Sequence, residues 1–238
     1  MSETENSRGL FLSLEGGEGA SKSTQIKLLT ERFEKLGYKV VTSHEPGGTP
    51  IGLSIRELIK YHPDATKMCR LTETLLFAAA QRQSVEELIL PALAAGCIVI
   101  SDRYVDSNTA YQGHARQNDM TTIHWLNDLT AGDCMPDMTF LLDLDPEIGF
   151  ERVGKRKKEK DGQTDRFETT GMEFHDRVRA GYHEIVRVDN NGRMQVIDAT
   201  GTREEIHEAI WAKIQPLLDM LANYPGALQQ KVDEAAAA

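Results

Sequence analysis

The chain has 238 residues, 40% of them hydrophobic and only 6% aromatic, with a formal net charge of −10. That length suits one large domain, or a domain with a small insertion. The acidic balance argues against a surface given over to nucleic acid, though not against a local basic site. No run approaches the roughly 18 apolar residues that cross a bilayer, and the opening MSETENSRG is too polar for a signal peptide, so a soluble chain is expected. Cys69, Cys97 and Cys134 show neither metal-ligand spacing nor a disulfide framework, which points to the reducing cytoplasm.

The first element is GLFLSLEG, Gly9 to Gly16, an apolar run that predicts a buried strand. It leads into GGEGASKST, which follows the phosphate-loop pattern G-x-x-x-x-G-K-[ST] at every place but one. Gly16, Lys22 and Ser23 stand where the first glycine, the lysine and the hydroxyl belong, but Ser21 replaces the second glycine. Such a loop turns backbone N–H groups around a phosphate at the positive end of the next helix. Its lysine reaches the β- and γ-phosphates, and its hydroxyl holds Mg2+. Gly16, Gly17, Glu18, Gly19, Ala20, Ser21, Lys22, Ser23 and Thr24 therefore form the candidate ATP-binding segment. Ser23 to Gly37 predicts the amphipathic helix that must follow, with Ile26, Leu29 and Phe33 on one face and Gly37 ending it.

Four more strand-like runs come later: Tyr38 to Ser43, Cys97 to Asp102, Met138 to Leu144 and Met194 to Ala199. None alternates cleanly with polar residues, which fits strands buried on both faces of a parallel sheet. Helical patterns separate them, the longest from Leu71 to Gly96, which Pro91 should bend or end. The alternation predicts a doubly wound α/β fold of about five parallel strands. Ligands bind such sheets outside the carboxyl ends of the strands, and Glu18, Glu45, Asp102 and Asp145 lie just past those ends. Between Gly154 and Glu168 the apolar periodicity fails, with a basic run from Lys155 to Lys160. A charge run is commonly a solvated face; beside a phosphate loop it also suits a closing lid, placed here at about residues 154–165. One domain is expected over residues 1–222, with a frayed or disordered tail from Asn223 to the four closing alanines.

Five ordered segments then carry a resemblance: LEGGEGASKSTQ, HEPGGTPIG, LLFAAAQRQ, SDRYVDSNTAYQG and DRFE. In this order they resemble the bacterial thymidylate kinases, over about Gly9 to Leu218. The resemblance implies a P-loop NTPase-type sheet with helices on both faces and a small basic lid. The implied reaction passes the γ-phosphoryl of ATP, with Mg2+, to dTMP, on the route to dTTP for DNA replication. It also implies a homodimer, to which the helix from Leu71 could contribute an interface. Arg103, in the DRY triplet, matches an arginine that grips the acceptor phosphate or aligns the donor; its planar fork suits either task. Asp102 would hold Mg2+ through water or orient Arg103, and Ser23 would share the metal. The pattern by itself also allows a structural Asp102–Arg103 pair. Glu18 matches an acidic position near the sugar 3′-hydroxyl and the metal. Arg56 matches the arginine that binds the monophosphate, although by pattern it is an exposed helix residue. Phe77 would stack on thymine, Tyr111 would crowd the 2′ position, and Ser107, Asn108 and Gln112 would read the base edge. Gly19 takes the place where some members carry a catalytic arginine, so the cation would come from the lid. Arg152, Arg156 and Arg166 are the candidates there, with Arg156 favoured.

Three positions depart from the family: Ser21, His44 before EPGGT, and Gln81, where members usually have an arginine on thymine O4. Arg82 is one residue away, about 100° round a helix, and cannot stand in. Gln81 could donate to O4 through its amide, more weakly than a guanidinium. The departures leave two alternatives beside dTMP: a kinase for another or modified pyrimidine deoxynucleotide, or a catalytically weak nucleotide-binding homologue.

Overall fold

The computed structural model describes residues 9–160, 166–167 and 170–222. The phosphate-loop half opens with strand β1, Phe11–Glu15, and helix α1, Lys22–Lys35. Strand β2 is Val40–His44, and helix α2 is Pro50–Lys60. Helix α3, Arg70–Ser84, passes through a wider π turn at Val85–Ile89 into α4, Leu90–Ala94. Strand β3, Ile98–Asp102, is followed by the short α5, Val105–Asn108, another π turn and α6, Met120–Ala131. Strand β4, Met138–Asp143, leads to α7, Pro146–Lys160, and α8, Met172–Val188. The last pair is β5, Met194–Asp198, and α9, Arg203–Ala222. All five strands are parallel in the order β2-β3-β1-β4-β5. None of the described helices is long and apolar enough to cross a membrane.

The sheet buries both faces, which explains the unalternated strands. On one face Leu12 and Leu14 of β1 pack with Ile98, Ile100, Phe140 and Leu142, and are covered by Leu29 and Phe33 of α1 and Ile206, Ile210 and Ile214 of α9. On the other face Phe11 and Val99 meet Val85, Ile89, Leu93 and Tyr104. Burial of each such side chain contributes about 1.5–3 kcal/mol, so β1 is pinned from both sides. The edge strands differ from the expectation of two buried faces. Thr42 in β2 and Val196 in β5 are exposed, because an edge strand has a neighbour on one side only and part of its cover is missing.

Pro91 lies in the first turn of α4, just past the π turn, and the helix runs on only to Ala94. The basic run from Lys155 to Lys160 belongs to the end of α7. Lid residues 161–165, and the tail from Asn223, lie outside the described residues.

The phosphate loop is seated against α7 by a backbone-to-backbone crossing. A Cβ on Gly19 would stand 2.2 Å from the carbonyl oxygen of Gly149, and one on Gly149 would stand 2.2 Å from that of Glu18. Gly149→Ala is expected to push α7 off the loop, costing about 1–3 kcal/mol. Thermal unfolding, with ATP affinity by calorimetry alongside, checks this; an unchanged midpoint and affinity would show that the crossing tolerates a methyl group.

Candidate functional site

The site grows from the carboxyl ends of β1 and β3. Register pairs Leu14 with Asp102, so residues 88 positions apart emerge side by side. The loop from Gly16 to Ser21 leads directly into α1, whose first turn holds no acidic residue and no side-chain cap. Its N-terminal amides are thus left for an anion. Lys22 is buried and folds back to donate to the carbonyls of Gly16 and Gly17, each at 2.9 Å. Burial, with the charge of Arg103, brings its ammonium down to about 8 despite Asp102 and Glu18 nearby. Ser23 donates from Oγ to Oδ2 of Asp102 at 3.1 Å, so the two expected metal residues converge. Two hard oxygens so placed fit a magnesium ion that keeps most of its water and binds substrate phosphates. Among the described residues no group of three or more His, Cys, Asp or Glu is gathered for a metal, which agrees with so sparse a protein ligand set.

Ser21 has φ 69°, in the left-handed region that glycine adopts at no steric cost. The serine therefore carries backbone strain of about 1–2 kcal/mol within the loop.

Arg103, also left-handed at φ 75°, aims its guanidinium across the loop. It donates to Oε1 of Glu18 at 2.9 Å and to the carbonyl of Gly16 at 3.0 Å, and lies 4.8 Å from the centre of the Tyr111 ring. The pairing goes to Glu18, not to the adjacent Asp102. Burial alone would raise the Glu18 carboxyl, but Arg103 and then Lys22 hold it at about 2. Beside them Glu15, at the end of β1, accepts from the Tyr104 amide at 2.7 Å, Ser107 Oγ at 2.6 Å and Tyr182 hydroxyl at 2.8 Å. Burial, then the charge of Asp106, pushes the Glu15 carboxyl up to about 7.

A half-open cleft leads away from this cluster. Glu18, Phe77, Arg103, Ser107, Asn108, Tyr111 and Gln112 line it, together with Glu45, Pro46, Lys60 and Phe167. Some expected readers differ in detail. The Ser107 hydroxyl donates to Glu15, so it is committed before any ligand arrives. Gln81 is 1% exposed and does not line the cleft; it stands behind Asn108, whose Nδ2 donates to its Oε1. The expectation of a direct Gln81 contact with the base is thereby corrected, because α3 turns that side chain inward. Arg82 pairs with Glu86 on the surface, as its helical offset requires.

Arg56 donates to the Pro46 carbonyl at 3.0 Å, beside the cleft. The lid arginines divide. Arg152 donates to the carbonyls of Ala199 at 2.9 Å and Thr200 at 3.1 Å, tying α7 to the end of β5. Arg166 donates to Glu73 and, at 3.0 Å, to the Ala65 carbonyl. In this structure both hold oxygens of the chain itself. The side chain of Arg156, in the last turns of α7, lies outside what the structure describes.

Sequence reasoning placed Glu45 just past a strand end without giving it a role, and missed Lys60 and Glu15 as site groups. Lys60 was findable, since it follows Arg56 by four residues and shares its helix face. Glu15 carried no such signal: it becomes a site group only because strands end side by side.

A parallel sheet with a phosphate loop after β1, a metal-competent Ser–Asp pair and an arginine at a second cleft defines a nucleotide-dependent phosphotransferase. The family model described as thymidylate kinase matches residues 14–210. The chain is 46% identical over 211 residues to the thymidylate kinase of Halothermothrix orenii, covering 89% of this chain and 99% of that one. It is 43% identical over 219 residues to that of Syntrophotalea carbinolica, covering 92% and 99%. The crystal structure of thymidylate kinase from Ehrlichia chaffeensis superposes with a TM-score of 0.69 at 33% identity, covering 87% of this chain and 99% of that chain. The chain belongs to the thymidylate kinase family.

If Ser21 strains the loop, Ser21→Gly should raise the unfolding midpoint by about 2–4 °C. It should also tighten ATP binding by up to about tenfold, the equivalent of about 1.4 kcal/mol. Calorimetric titration with ATP settles it, and equal affinities would show that serine is accommodated in the left-handed position.

Proposed function

We propose that the chain transfers the γ-phosphoryl of ATP to the 5′-phosphate of dTMP, giving dTDP and ADP, in the cytoplasm and as a homodimer. The single observation that carries the reaction is Arg103. Its guanidinium bridges the Gly16 carbonyl of the donor loop and Glu18 at the mouth of the acceptor cleft. Both reacting groups are anions, so catalysis consists mainly of positioning them and neutralising charge.

In this reading an acceptor oxygen of dTMP attacks the γ-phosphorus while the bond to the β-phosphate oxygen breaks. Lys22 leaves the two loop carbonyls and follows the β- and γ-phosphates, with the α1 amides around the β-phosphate. Ser23 and Asp102 would hold Mg2+, which screens the phosphate charges when bound. Arg103, with Arg56 and Lys60 of α2, grips the acceptor phosphate. Glu18, kept ionised by Arg103 and Lys22, accepts from the sugar 3′-hydroxyl. Phe77 offers its face to thymine, Tyr111 crowds the 2′ position, and Asn108 and Gln112 meet the base edge. Arg156 remains the lid residue assigned to the donor side, because Arg152 and Arg166 are tied elsewhere.

An ADP-release assay across dTMP, dUMP and thymidine tests the activity. Turnover of dTMP at about 1–100 s⁻¹ is expected, the range of ordinary kinases. Arg103→Met should lower kcat by about 10²–10³, the loss typical of a removed charge-stabilising donor. Comparable rates for wild type and variant would remove Arg103 from the mechanism, and absence of dTMP turnover would overturn the reading.

Dimerisation is supported by a patch of large apolar side chains on two packed helices. Leu71 and Leu75 of α3, and Trp125 and Leu129 of α6, are large apolar side chains exposed on two helices that pack together. Trp125→Glu should yield a monomer in sedimentation velocity at concentrations where the wild type is dimeric; a wild type that sediments as a monomer would sink the proposal.

A further inference from the structure

Glu15 has no part in the phosphoryl-transfer scheme above, although it is buried at the end of β1, directly before the phosphate loop. Both oxygens of its carboxyl lead to Arg103. Oε1 accepts the backbone N–H of Tyr104, the next residue after Arg103, at 2.7 Å. The carbonyl of that same peptide, on Arg103, accepts from Ser101 Oγ at 2.7 Å. The peptide is thus gripped on both of its polar groups, just where Arg103 stands at φ 75°. A side chain in the left-handed region persists only when its surroundings over-determine it. Glu15 supplies part of that determination.

The other oxygen works at the far end of the same side chain. Oε2 accepts from Ser107 Oγ at 2.6 Å and from the Tyr182 hydroxyl at 2.8 Å. A hydroxyl has a single hydrogen and two lone pairs. With their hydrogens drawn to the carboxyl, both hydroxyls keep lone pairs for Nη1 of Arg103, which donates to each of them at 3.3 Å. The two hydroxyls lie 2.8 Å apart, but between themselves they could satisfy only one hydrogen. Without an acceptor at Oε2 the other hydrogen would compete with Nη1 for the same space.

We propose that Glu15 is the positioning residue for Arg103: one carboxyl sets the left-handed backbone through the Tyr104 amide and the direction of the guanidinium through Ser107 and Tyr182. The proposal rests on the phosphoryl-transfer reading above. A guanidinium aimed before the substrates arrive needs no reorganisation when charge develops on the transferring group. The role depends on polarity more than on bulk. Glu15→Gln keeps the shape of the side chain, but its amide oxygen must stay with the Tyr104 N–H, which cannot accept. Nε2 then faces the two hydroxyls, and an acceptor of two hydrogens has become a donor. Tyr182→Phe is the milder change. It removes one acceptor of Nη1 from a residue only 1% exposed, which does not line the cleft.

The test is steady-state ADP release with ATP and dTMP on the full chain, for the wild type, Glu15→Gln, Tyr182→Phe, Arg103→Met and each of the first two combined with Arg103→Met. Assays are run on the alkaline side of the Glu15 carboxyl, which burial pushes up to about 7, so that it is ionised. Glu15→Gln should lower kcat by about ten- to hundredfold, the cost of a misplaced group. Tyr182→Phe should lower it by about three- to tenfold, one hydrogen bond's worth. KM for ATP should stay within about twofold, because the phosphate loop itself is untouched. On the Arg103→Met background either substitution should cost less than about twofold more, since the group it positions is gone. A loss that multiplies in full on that background would show a general structural role and overturn the proposal. Wild-type kcat in Glu15→Gln would overturn it too. Thermal unfolding checks that the variants fold, and if Glu15→Gln does not, the Tyr182→Phe cycle decides by the same criteria. Failure of the wild type to turn over dTMP would take both readings down together, whereas either overturning result with an active wild type strikes this one alone.

Discussion

The parallel pairing of β1 with β3, in the register that sets Leu14 opposite Asp102, is the constraint on which the site depends. It holds because both strands are buried on both faces, so a slip of one residue would turn Phe11, Leu12 and Leu14 out of their layers. From that register follow the convergence of Ser23 with Asp102 and the reach of Arg103 across the phosphate loop. Glu15 locks the arrangement. One buried carboxyl at the end of β1 gathers the Tyr104 amide, the Ser107 hydroxyl and the Tyr182 hydroxyl, joining the sheet, the turn after β3 and α8. Replacing any of these donors would leave the carboxyl buried and partly unsatisfied, a costly condition.

The electrostatics are local and run against the average. The chain carries −10 overall, yet Lys22, Arg103, Arg56 and Lys60 are gathered around the loop and the cleft. These cations are engaged within the chain: the loop carbonyls hold Lys22, Glu18 and Gly16 hold Arg103, and the Pro46 carbonyl holds Arg56. Such internal partners keep the buried charges satisfied without phosphate. Glu18 at about 2 and Lys22 at about 8 both remain ionised at neutral pH.

Two of the three departures from the family belong to different physics. Ser21 is a backbone matter, a side chain held where φ is 69°. Gln81 is a polarity matter, an uncharged amide in place of a cation, buried behind Asn108. Neither disturbs the sheet, which is built from other residues.

The sequence by itself determined the strands, the phosphate loop, the helix after it and part of the set of residues that line the cleft. Those are written in short-range pattern: apolar runs, glycine spacing, a lysine and a hydroxyl adjacent in the chain. Edge exposure in β2 and β5 and the π turn ahead of Pro91 were not legible there. Each depends on what packs beside the segment. The same holds for single side chains. Whether Arg152 and Arg166 point at substrate or at Ala199 and Glu73, and whether Gln81 faces the base or the back of Asn108, was decided by tertiary structure alone. A motif states which groups are near one another along the chain, while a hydrogen bond goes to whichever partner the folded neighbours leave within about 3 Å.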